Sequence, residues 1–257
     1  MSTSYWMHGI GPIRVMVLHG WFVGSGVFEP MLDALDPERF TLAFMDYRGY
    51  GGALTAEGPY DIETIASDVT AIADELGWSR FALVGHSMGG KAALRVAVDL
   101  GSRVSQILGI TPVFAGPAPF GSEQVALFRR AASDLSARAA ILNHSTGGLL
   151  PQSWSNRMAA KSFETSQEQA FAAYFESWAF SDFSQEVAGL QQEVLAVAGG
   201  HDAGVTAEAV KASWIAKLPS ARFYRIVGSG HYPMLETPLQ LAAVFEKFFR
   251  PPENSRG

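Results

Sequence analysis

The stretch Gly85-His86-Ser87-Met88-Gly89-Gly90 decides the fold, because a strand pattern precedes it and a helix pattern follows it. The apolar run Phe81 to Val84 predicts a buried strand, and the alanine-rich segment Lys91 to Leu100 predicts a helix. A sharp strand-to-helix turn strains the serine backbone, so Gly85 and Gly89 must be small where the chain folds back. The pattern therefore places the Ser87 hydroxyl at the carboxyl end of a sheet. A glycine-rich turn with an incidental serine would look the same, so the rest of the chain must decide.

A chain of 257 residues fits one large domain or two small ones, and alternating α/β folds of this size are often a single domain. Hydrophobic residues make up 48% and charged residues 17%, which argues against disorder. The net charge of -6, from 25 acidic and 19 basic residues, argues against a nucleic-acid partner. The absence of cysteine excludes disulfides and thiolate chemistry. Neither a signal-peptide pattern nor an apolar run of the ~20 residues that span a bilayer is present, so we expect a cytoplasmic protein without membrane contact.

Strand and helix patterns alternate along most of the chain. Strands are predicted over Thr3–Met7, Arg14–Leu18, Thr41–Asp46, Phe81–Val84, Val104–Ile110, Glu193–Gly199 and Arg222–Val227. Helices are predicted over Val27–Leu35, Ile62–Leu76, Lys91–Leu100 and Thr206–Leu218, and from Pro238 onward. This order predicts an α/β fold, a doubly wound and mostly parallel sheet, in which loops at the strand carboxyl ends build the site.

Residues 116–185 break the alternation, since only helical patterns occur there. The helices are predicted near Glu123–Ser133, Ala137–Asn143, Pro151–Phe163 and Gln167–Phe180. We interpret this segment as a helical cap, or lid, inserted into a core formed by residues 1–115 and 186–257. The tail from Pro251 to Gly257 is expected to fray.

A serine hydroxyl needs a base, and His231 is the best candidate. It lies in Gly228-Ser229-Gly230-His231-Tyr232-Pro233, directly after the last predicted strand, where small residues let a loop aim an imidazole. The other histidines are placed less well: His19 beside an apolar strand, His86 inside the turn of Ser87, His144 in the cap and His201 beside a better-placed acid.

The orienting acid and the oxyanion donors follow from the same geometry. Asp202 lies on the loop after the preceding strand; Asp46 more plausibly braces the turn at Arg48-Gly49, and Asp182 at the cap exit is a third candidate. The helix-starting N–H of Met88 is one oxyanion donor. The second is assigned to the N–H of Trp21, with Phe22 as the near alternative. The order Ser87, Asp202, His231 is the one expected of this architecture.

Five motifs together resemble the α/β-hydrolase superfamily. They are Leu18-His19-Gly20-Trp21, Asp46-Tyr47-Arg48-Gly49-Tyr50-Gly51, Gly85-His86-Ser87-Met88-Gly89-Gly90-Lys91, Gly199-Gly200-His201-Asp202 and Gly230-His231-Tyr232-Pro233-Met234-Leu235-Glu236-Thr237-Pro238. Within it, the chain is similar to small bacterial carboxylesterases of the pimeloyl-carrier-protein methyl ester esterase type. The resemblance implies the same triad and the same two backbone donors. The sequence departs from the fuller pattern in having one strand, instead of two, before Ile13.

The leading hypothesis is hydrolysis of a carboxylic ester or lactone through an acyl-serine intermediate. The same triad also supports hydrolysis of carbon–carbon bonds and cofactor-free perhydrolysis, and a binding protein on a retained hydrolase scaffold is a further alternative. No metal-ligand cluster or dinucleotide motif is visible, so we expect no metal and no cofactor.

The aromatic residues of the cap and of the loop after Leu18 favour an apolar or aromatic group in the substrate. Residues expected to line the pocket are Phe22, Phe114, Phe120, Trp154 and Trp178. Five basic residues lie in the first half of the cap: Arg129, Arg130, Arg138, Arg157 and Lys161. They allow a carrier-protein or carboxylate substrate, although solvated helix faces are the simpler interpretation.

Overall fold

The computed structural model describes residues 4–250, whose strands form one seven-stranded sheet. The strands are β1 Ser4–His8, β2 Ile13–Leu18, β3 Phe40–Asp46, β4 Phe81–His86, β5 Val104–Ile110, β6 Glu193–Gly199 and β7 Ala221–Ile226. Their order across the sheet is β1-β3-β2-β4-β5-β6-β7. β1 is antiparallel to β3, and all other neighbours are parallel. The predicted fold class is confirmed, while the expectations for Thr3 and the tail lie outside the described residues.

The strands differ in burial as their sequences predict. All six residues of β4 are buried, because a central parallel strand is covered on both faces. β1, at the sheet edge, is only half-buried. From residue 4 onward it is also the one strand before Ile13, as predicted.

Helices flank the sheet and fill the connections. They are α1 Ile62–Glu75, α2 Met88–Leu100, α3 Ser122–Arg130, α4 Leu135–Ser145, α5 Gln152–Glu164, α6 Glu168–Phe180, α7 Ala207–Val210, α8 Pro233–Glu236 and α9 Pro238–Phe248. Asp61 caps the N-terminus of α1, since its carboxylate accepts the backbone N–H of Thr64 at 2.7 Å.

Two predicted α-helices take other forms. The segment predicted as Val27–Leu35 is a 3₁₀ helix, Ser25–Ala34, that contains Pro30. Proline cannot donate the backbone bond of a helix interior, which disfavours a regular α-helix there. The helix predicted as Thr206–Leu218 is α7 followed by a π-helical turn, Lys211–Ile215, around the fully buried Trp214.

Helices α3 to α6 all lie between β5 and β6. Their shared interior contains the fully buried Arg138, whose guanidinium lies 3.9 Å from the ring centre of Phe163 and 3.6 Å from that of Phe171. The guanidinium also donates to the hydroxyls of Ser162 and Ser166. Burial lowers the pKa of Arg138 to about 10. A cation with these partners holds the helices together from within.

The parallel register brings the strand carboxyl ends to one edge of the sheet. Leu18 pairs with Gly85, His86 with Ile110, and Gly199 with Ile226. The loops that follow these strands therefore meet at that edge. No helix in the described part of the chain is long and apolar enough to cross a membrane.

Candidate active site

Ser87 lies in a strained turn between β4 and α2. Its backbone has φ 52° and ψ -117°, a conformation that non-glycine residues rarely adopt. A Cβ on Gly85 would lie 2.2 Å from the Gly89 carbonyl oxygen, and one on Gly89 would lie 2.4 Å from that of Leu18. The prediction that both glycines must be small is confirmed, and Ser87 stands half-buried at the start of α2.

His231 and Asp202 form a short hydrogen-bonded pair on neighbouring loops. His231 Nδ1 lies 2.6 Å from Asp202 Oδ2, and the carboxylate is fully buried. The other oxygen, Oδ1, accepts the backbone N–H groups of Gly204 and Val205 at 2.9 Å each. Because an ionised carboxylate only accepts, Nδ1 carries the imidazole proton and Nε2 is free to accept one.

Glu236 fixes the loop that carries His231. Its carboxylate accepts the backbone N–H of Gly230 at 2.7 Å and that of Tyr232 at 2.8 Å, the residues on either side of His231. Burial raises the pKa of Glu236. Sequence reasoning did not single out this residue, although a carboxylate one helical turn beyond a loop is a recognisable capping signal.

The backbone of His231 is tied to three further segments. Its N–H donates to the Ser145 carbonyl at the end of α4, at 3.1 Å. Its carbonyl accepts the Thr111 hydroxyl at 3.0 Å and lies 2.9 Å from His86 Nε2. A carbonyl only accepts, so His86 Nε2 carries the proton, and burial lowers the pKa of His86 well below its usual value. His86 is thus neutral and contacts the His231 loop.

Ser87 and His231 line the same cavity. Within residues 4–250, the only side-chain hydrogen bond of His231 is the one at Nδ1, so Nε2 has no protein partner. Hydrogen bonds between a nucleophile and its base are often loose before substrate binds. The arrangement allows Nε2 to take a proton from Ser87.

Three side chains hold three successive carbonyls of the loop after β2. The Tyr47 hydroxyl donates to the His19 carbonyl at 2.8 Å, His19 Nδ1 lies 2.7 Å from the Gly20 carbonyl, and the Tyr50 hydroxyl donates to the Trp21 carbonyl at 2.5 Å. All three side chains are fully buried. The loop is therefore fixed before any substrate binds.

The hydrogen bonds of His19 determine its tautomer. Nε2 accepts the backbone N–H of Tyr47 at 3.2 Å, so Nδ1 must carry the proton and donate it to the Gly20 carbonyl. Burial lowers the pKa of His19 to about 4, which keeps the ring neutral near pH 7. His19 therefore has a structural role, and its target is the loop assigned as the source of the second oxyanion donor.

The three candidate oxyanion donors are backbone N–H groups of Met88, which follows Ser87, and of Trp21 and Phe22, which line the same cavity as Ser87. In the described chain, those of Trp21 and Phe22 donate to no backbone carbonyl. The N–H of Met88 belongs to the first turn of α2, where no intrahelical acceptor exists. The trans peptide also points each N–H away from the carbonyl of the preceding residue.

The two alternative acids lie elsewhere. Asp46 accepts the N–H groups of Ser25 at 2.7 Å and Gly52 at 2.9 Å, so it braces the arginine–glycine turn as expected. Asp182 accepts the N–H of Ser184 at 2.9 Å at the cap exit. Of the three carboxylates, Asp202 is the one paired with His231.

A cavity of about 920 Å³ lies between the sheet edge and helices α3, α4 and α6. Four of the residues expected to line it do so: Phe22, Phe114, Phe120 and Trp178. Trp154 is a correction, because its ring packs edge-on against Tyr232 at 6.0 Å, outside the lining. Lining residues that sequence reasoning missed include Ile141 and His144, since the facing of cap helices does not follow from periodicity alone.

No Lys or Arg is among the described residues that line the cavity, and Glu123 is the one carboxylate there. Two of the basic residues of the cap pair with carboxylates: Arg129 with Glu176 and Arg130 with Asp134. The lining is otherwise mainly apolar, so the cavity suits an uncharged group. Across residues 4–250, no cluster of three or more His, Asp or Glu side chains is arranged to hold a metal ion.

The chain is similar to known proteins over nearly its whole length. Residues 13–238 match a family model described as the alpha/beta hydrolase fold. A pimeloyl-[acyl-carrier protein] methyl ester esterase from Nitrosomonas europaea is 30% identical over 250 residues, which cover 93% of this chain and 96% of that protein. A similar enzyme from Xylella fastidiosa is 29% identical over 256 residues, with the same two coverages of 93% and 96%.

Solved structures share the fold at lower identity. A bromoperoxidase from Bacillus anthracis superposes with a TM-score of 0.84 at 19% identity, covering 95% of this chain and 94% of that one.

Proposed function

Since the chain belongs to the α/β-hydrolase family, we propose that it is a serine hydrolase that cleaves a carboxylic ester or lactone. The observation that carries the proposal is the pair of His231 Nδ1 and Asp202 Oδ2 at 2.6 Å, which shares a cavity edge with the strained Ser87. This is the arrangement that converts a weak hydroxyl into a nucleophile.

In the first half-reaction, His231 Nε2 takes the proton of the Ser87 hydroxyl as Oγ attacks the ester carbonyl. Asp202 holds the Nδ1–H tautomer and stabilises the positive charge that forms on the ring. Collapse of the tetrahedral intermediate returns the proton to the departing alcohol. The acyl group then remains on Ser87 Oγ as an ester.

The tetrahedral intermediate carries a negative oxygen, and we assign the N–H groups of Trp21 and Met88 as its donors. Fixed donors stabilise that charge without reorganising during the reaction. In the second half-reaction, His231 takes a proton from water, which attacks the acyl carbonyl and releases the carboxylic acid. The Ser87 hydroxyl is regenerated.

The cavity supports an acyl or alcohol group without charge. Its walls carry aromatic rings from the core and from α3 and α6, and its described lining contains no cation to pair with a carboxylate. The relatives from Nitrosomonas europaea and Xylella fastidiosa are named for a methyl ester on a carrier-protein-bound chain. A methyl ester masks a carboxylate, so we propose a short-alcohol ester of a linear chain, with a carrier-bound chain as one candidate. Residues 116–185 act as the lid of this site.

A panel of substrates tests the activity and separates it from the alternatives. Purified protein is incubated with p-nitrophenyl esters, methyl esters of linear acids, a lactone and a ring-cleavage diketone. We expect turnover of the esters, and loss of at least about 10³-fold in Ser87→Ala, because the residual rate comes from binding and the oxyanion donors alone.

Diketone cleavage without ester turnover would instead assign carbon–carbon bond hydrolysis. Perhydrolysis is detected by adding hydrogen peroxide and a short carboxylic acid. Ligand-dependent thermal stabilisation without any turnover would favour a binding protein. Equal ester turnover by the wild type and a folded Ser87→Ala variant would contradict the proposal.

A further inference from the structure

Lys91 is a fully buried cation that the proposed reaction does not use. It lies on α2, one helical turn beyond Ser87, and its side chain points away from solvent. No ion pair within residues 4–250 includes it. A buried ammonium without a carboxylate is destabilising unless its protons find other acceptors.

Three backbone carbonyls supply those acceptors. Lys91 Nζ donates to Gly116 at 3.1 Å, Trp178 at 3.0 Å and Ser181 at 2.6 Å. An ammonium has three protons, so each is used once. The ring of Phe183 lies 5.8 Å from Nζ on the same side. Burial lowers the pKa of Lys91 to about 8, while the nearby Asp182 and Glu63 act in the opposite direction.

The three carbonyls belong to the two segments that connect the cap to the core. Gly116 is on the entry segment between β5 and α3. Trp178 lies in the last turn of α6, and Ser181 directly follows that helix. The segments also bind each other, since the Ala118 N–H donates to the Ala179 carbonyl at 2.8 Å. Lys91 thus joins both connections of the cap to the helix that begins at the nucleophile.

Those connections form part of the cavity wall. Gly116 and Trp178 both line the cavity, as do the residues that directly follow Gly116 as far as Phe120. A shift of either segment would therefore move the wall that faces the acyl or alcohol group. Lys91 itself is absent from the lining, so it acts on the pocket through its neighbours.

We propose that Lys91 is a positioning residue that fixes the cap over Ser87 by binding its entry and exit segments together. One consequence of this role is kinetic: the enzyme should discriminate between long and short acyl chains. Only that consequence rests on the proposed ester hydrolysis. The other consequence is structural: Lys91 protects the backbone amides of the two segments from hydrogen exchange, and this holds whatever the reaction is.

The test compares Lys91→Met with Arg95→Met. Methionine fills a similar volume but donates no hydrogen bond. Arg95 lies one turn further along α2 and contacts Phe183 and Glu186 near the cap exit, so its variant controls for the loss of a cation on that side. Lys91→Gln keeps two donors and should give an intermediate result.

Two readouts are made on full-length protein. Hydrogen exchange of peptides covering residues 112–120 and 178–182 should speed up about tenfold in Lys91→Met and remain unchanged in Arg95→Met. The ratio of kcat/KM for p-nitrophenyl octanoate to that for the acetate should fall about tenfold, mainly through KM for the octanoate.

The outcomes separate the two proposals. Faster exchange without ester turnover in the wild type would retain the role of Lys91 and overturn the ester hydrolase. Unchanged exchange and an unchanged ratio in a folded Lys91→Met variant would overturn the role of Lys91 and leave the hydrolase intact. If neither Lys91 variant folds while Arg95→Met does, Lys91 supports the whole fold and its assignment to the cap is wrong.

Discussion

The loop after β2 shows how single side chains can orient a backbone donor. Because the N–H and C=O of a trans peptide point in opposite directions, a side chain that binds one carbonyl sets the direction of the next N–H. His19 binds the Gly20 carbonyl and so orients the Trp21 N–H. Tyr50 binds the Trp21 carbonyl and so orients the Phe22 N–H. Substitution of His19 or of Tyr50 therefore affects a different one of the two candidate donors.

Asparagine and glutamine at position 19 provide a matched test of this orientation. The amide nitrogen of Asn reaches the place of Nδ1, whereas that of Gln reaches the place of Nε2. We expect His19→Asn to keep most of kcat and His19→Gln to lower it about 10²-fold, the effect of losing one oxyanion donor. KM for a short ester should change little in either variant.

The comparison variant is Tyr50→Phe. It removes the hydrogen bond to the Trp21 carbonyl that orients the Phe22 N–H. We expect its kcat to fall less than about fivefold if Trp21 is the donor, since other contacts of the loop remain. A large loss in Tyr50→Phe beside a near-normal His19→Gln would identify Phe22 as the donor. Circular dichroism and melting temperature establish that each variant is folded.

Asp202 gives a second prediction at this scale. In Asp202→Asn the amide can no longer hold the Nδ1–H tautomer of His231, so we expect kcat to fall about 10³- to 10⁴-fold. Asp182→Asn is the control, because Asp182 is bound to Ser184 at the cap exit and should leave kcat unchanged. A loss of less than tenfold in Asp202→Asn would reject Asp202 as the orienting acid.

At the scale of elements, the turn between β4 and α2 is where local geometry is most demanding. Its serine, its flanking glycines and its strand–helix context were predictable because each follows from short-range sterics. The π-helical turn at Lys211–Ile215 was not predictable, since it accompanies the packing of Trp214 beside Gly90 and Gly109, which are distant in sequence. Likewise Trp154 lies outside the cavity lining and Ile141 within it, because periodicity does not state which way a cap helix faces.

Gly89→Ala tests the tightness of this turn. The new Cβ would lie 2.4 Å from the Leu18 carbonyl oxygen, a backbone atom that cannot move aside cheaply. We expect a loss of several kcal/mol in the free energy of unfolding, of the order seen when a core is overpacked. Chemical denaturation measures it.

Gly189→Ala is the matched control, because no atom lies within 4 Å of a Cβ placed there. Its stability should stay within about 0.5 kcal/mol of the wild type. Equal stability of the Gly89 and Gly189 variants would mean that the close approach of α2 to β2 is not required.

At the scale of the whole molecule, two buried neutral imidazoles lie at the carboxyl ends of β2 and β4. Burial lowers the pKa of His19 to about 4 and that of His86 well below its usual value. Both rings bind backbone groups of the loops that carry the proposed oxyanion donor and base. The sequence placed both histidines less well than His231 for a catalytic role, but their partners depend on loops far apart in the chain.

These two histidines predict loss of stability in acid. Their pKa values are lower in the folded chain than in the unfolded chain, so the unfolded chain binds more protons between about pH 6.5 and 4. The free energy of unfolding is therefore highest above pH 6.5 and falls as the pH drops towards 4. His19 alone accounts for about 3 kcal/mol of this fall. Urea unfolding at pH 7, 6, 5 and 4 measures the slope of the free energy of unfolding against pH. In His19→Asn the slope should be shallower by one proton, and an identical slope would exclude His19 as its source.

The central claim is that Ser87 becomes acylated during turnover, and trapping that intermediate tests it most directly. The protein is mixed with a p-nitrophenyl ester, quenched in acid within the first turnovers, and digested for mass spectrometry. The account predicts that the peptide containing Ser87 gains the mass of the acyl group, and that no acyl peptide forms in Ser87→Ala. Ester turnover with an unmodified Ser87 peptide, or acylation at another residue that persists in Ser87→Ala, would contradict it.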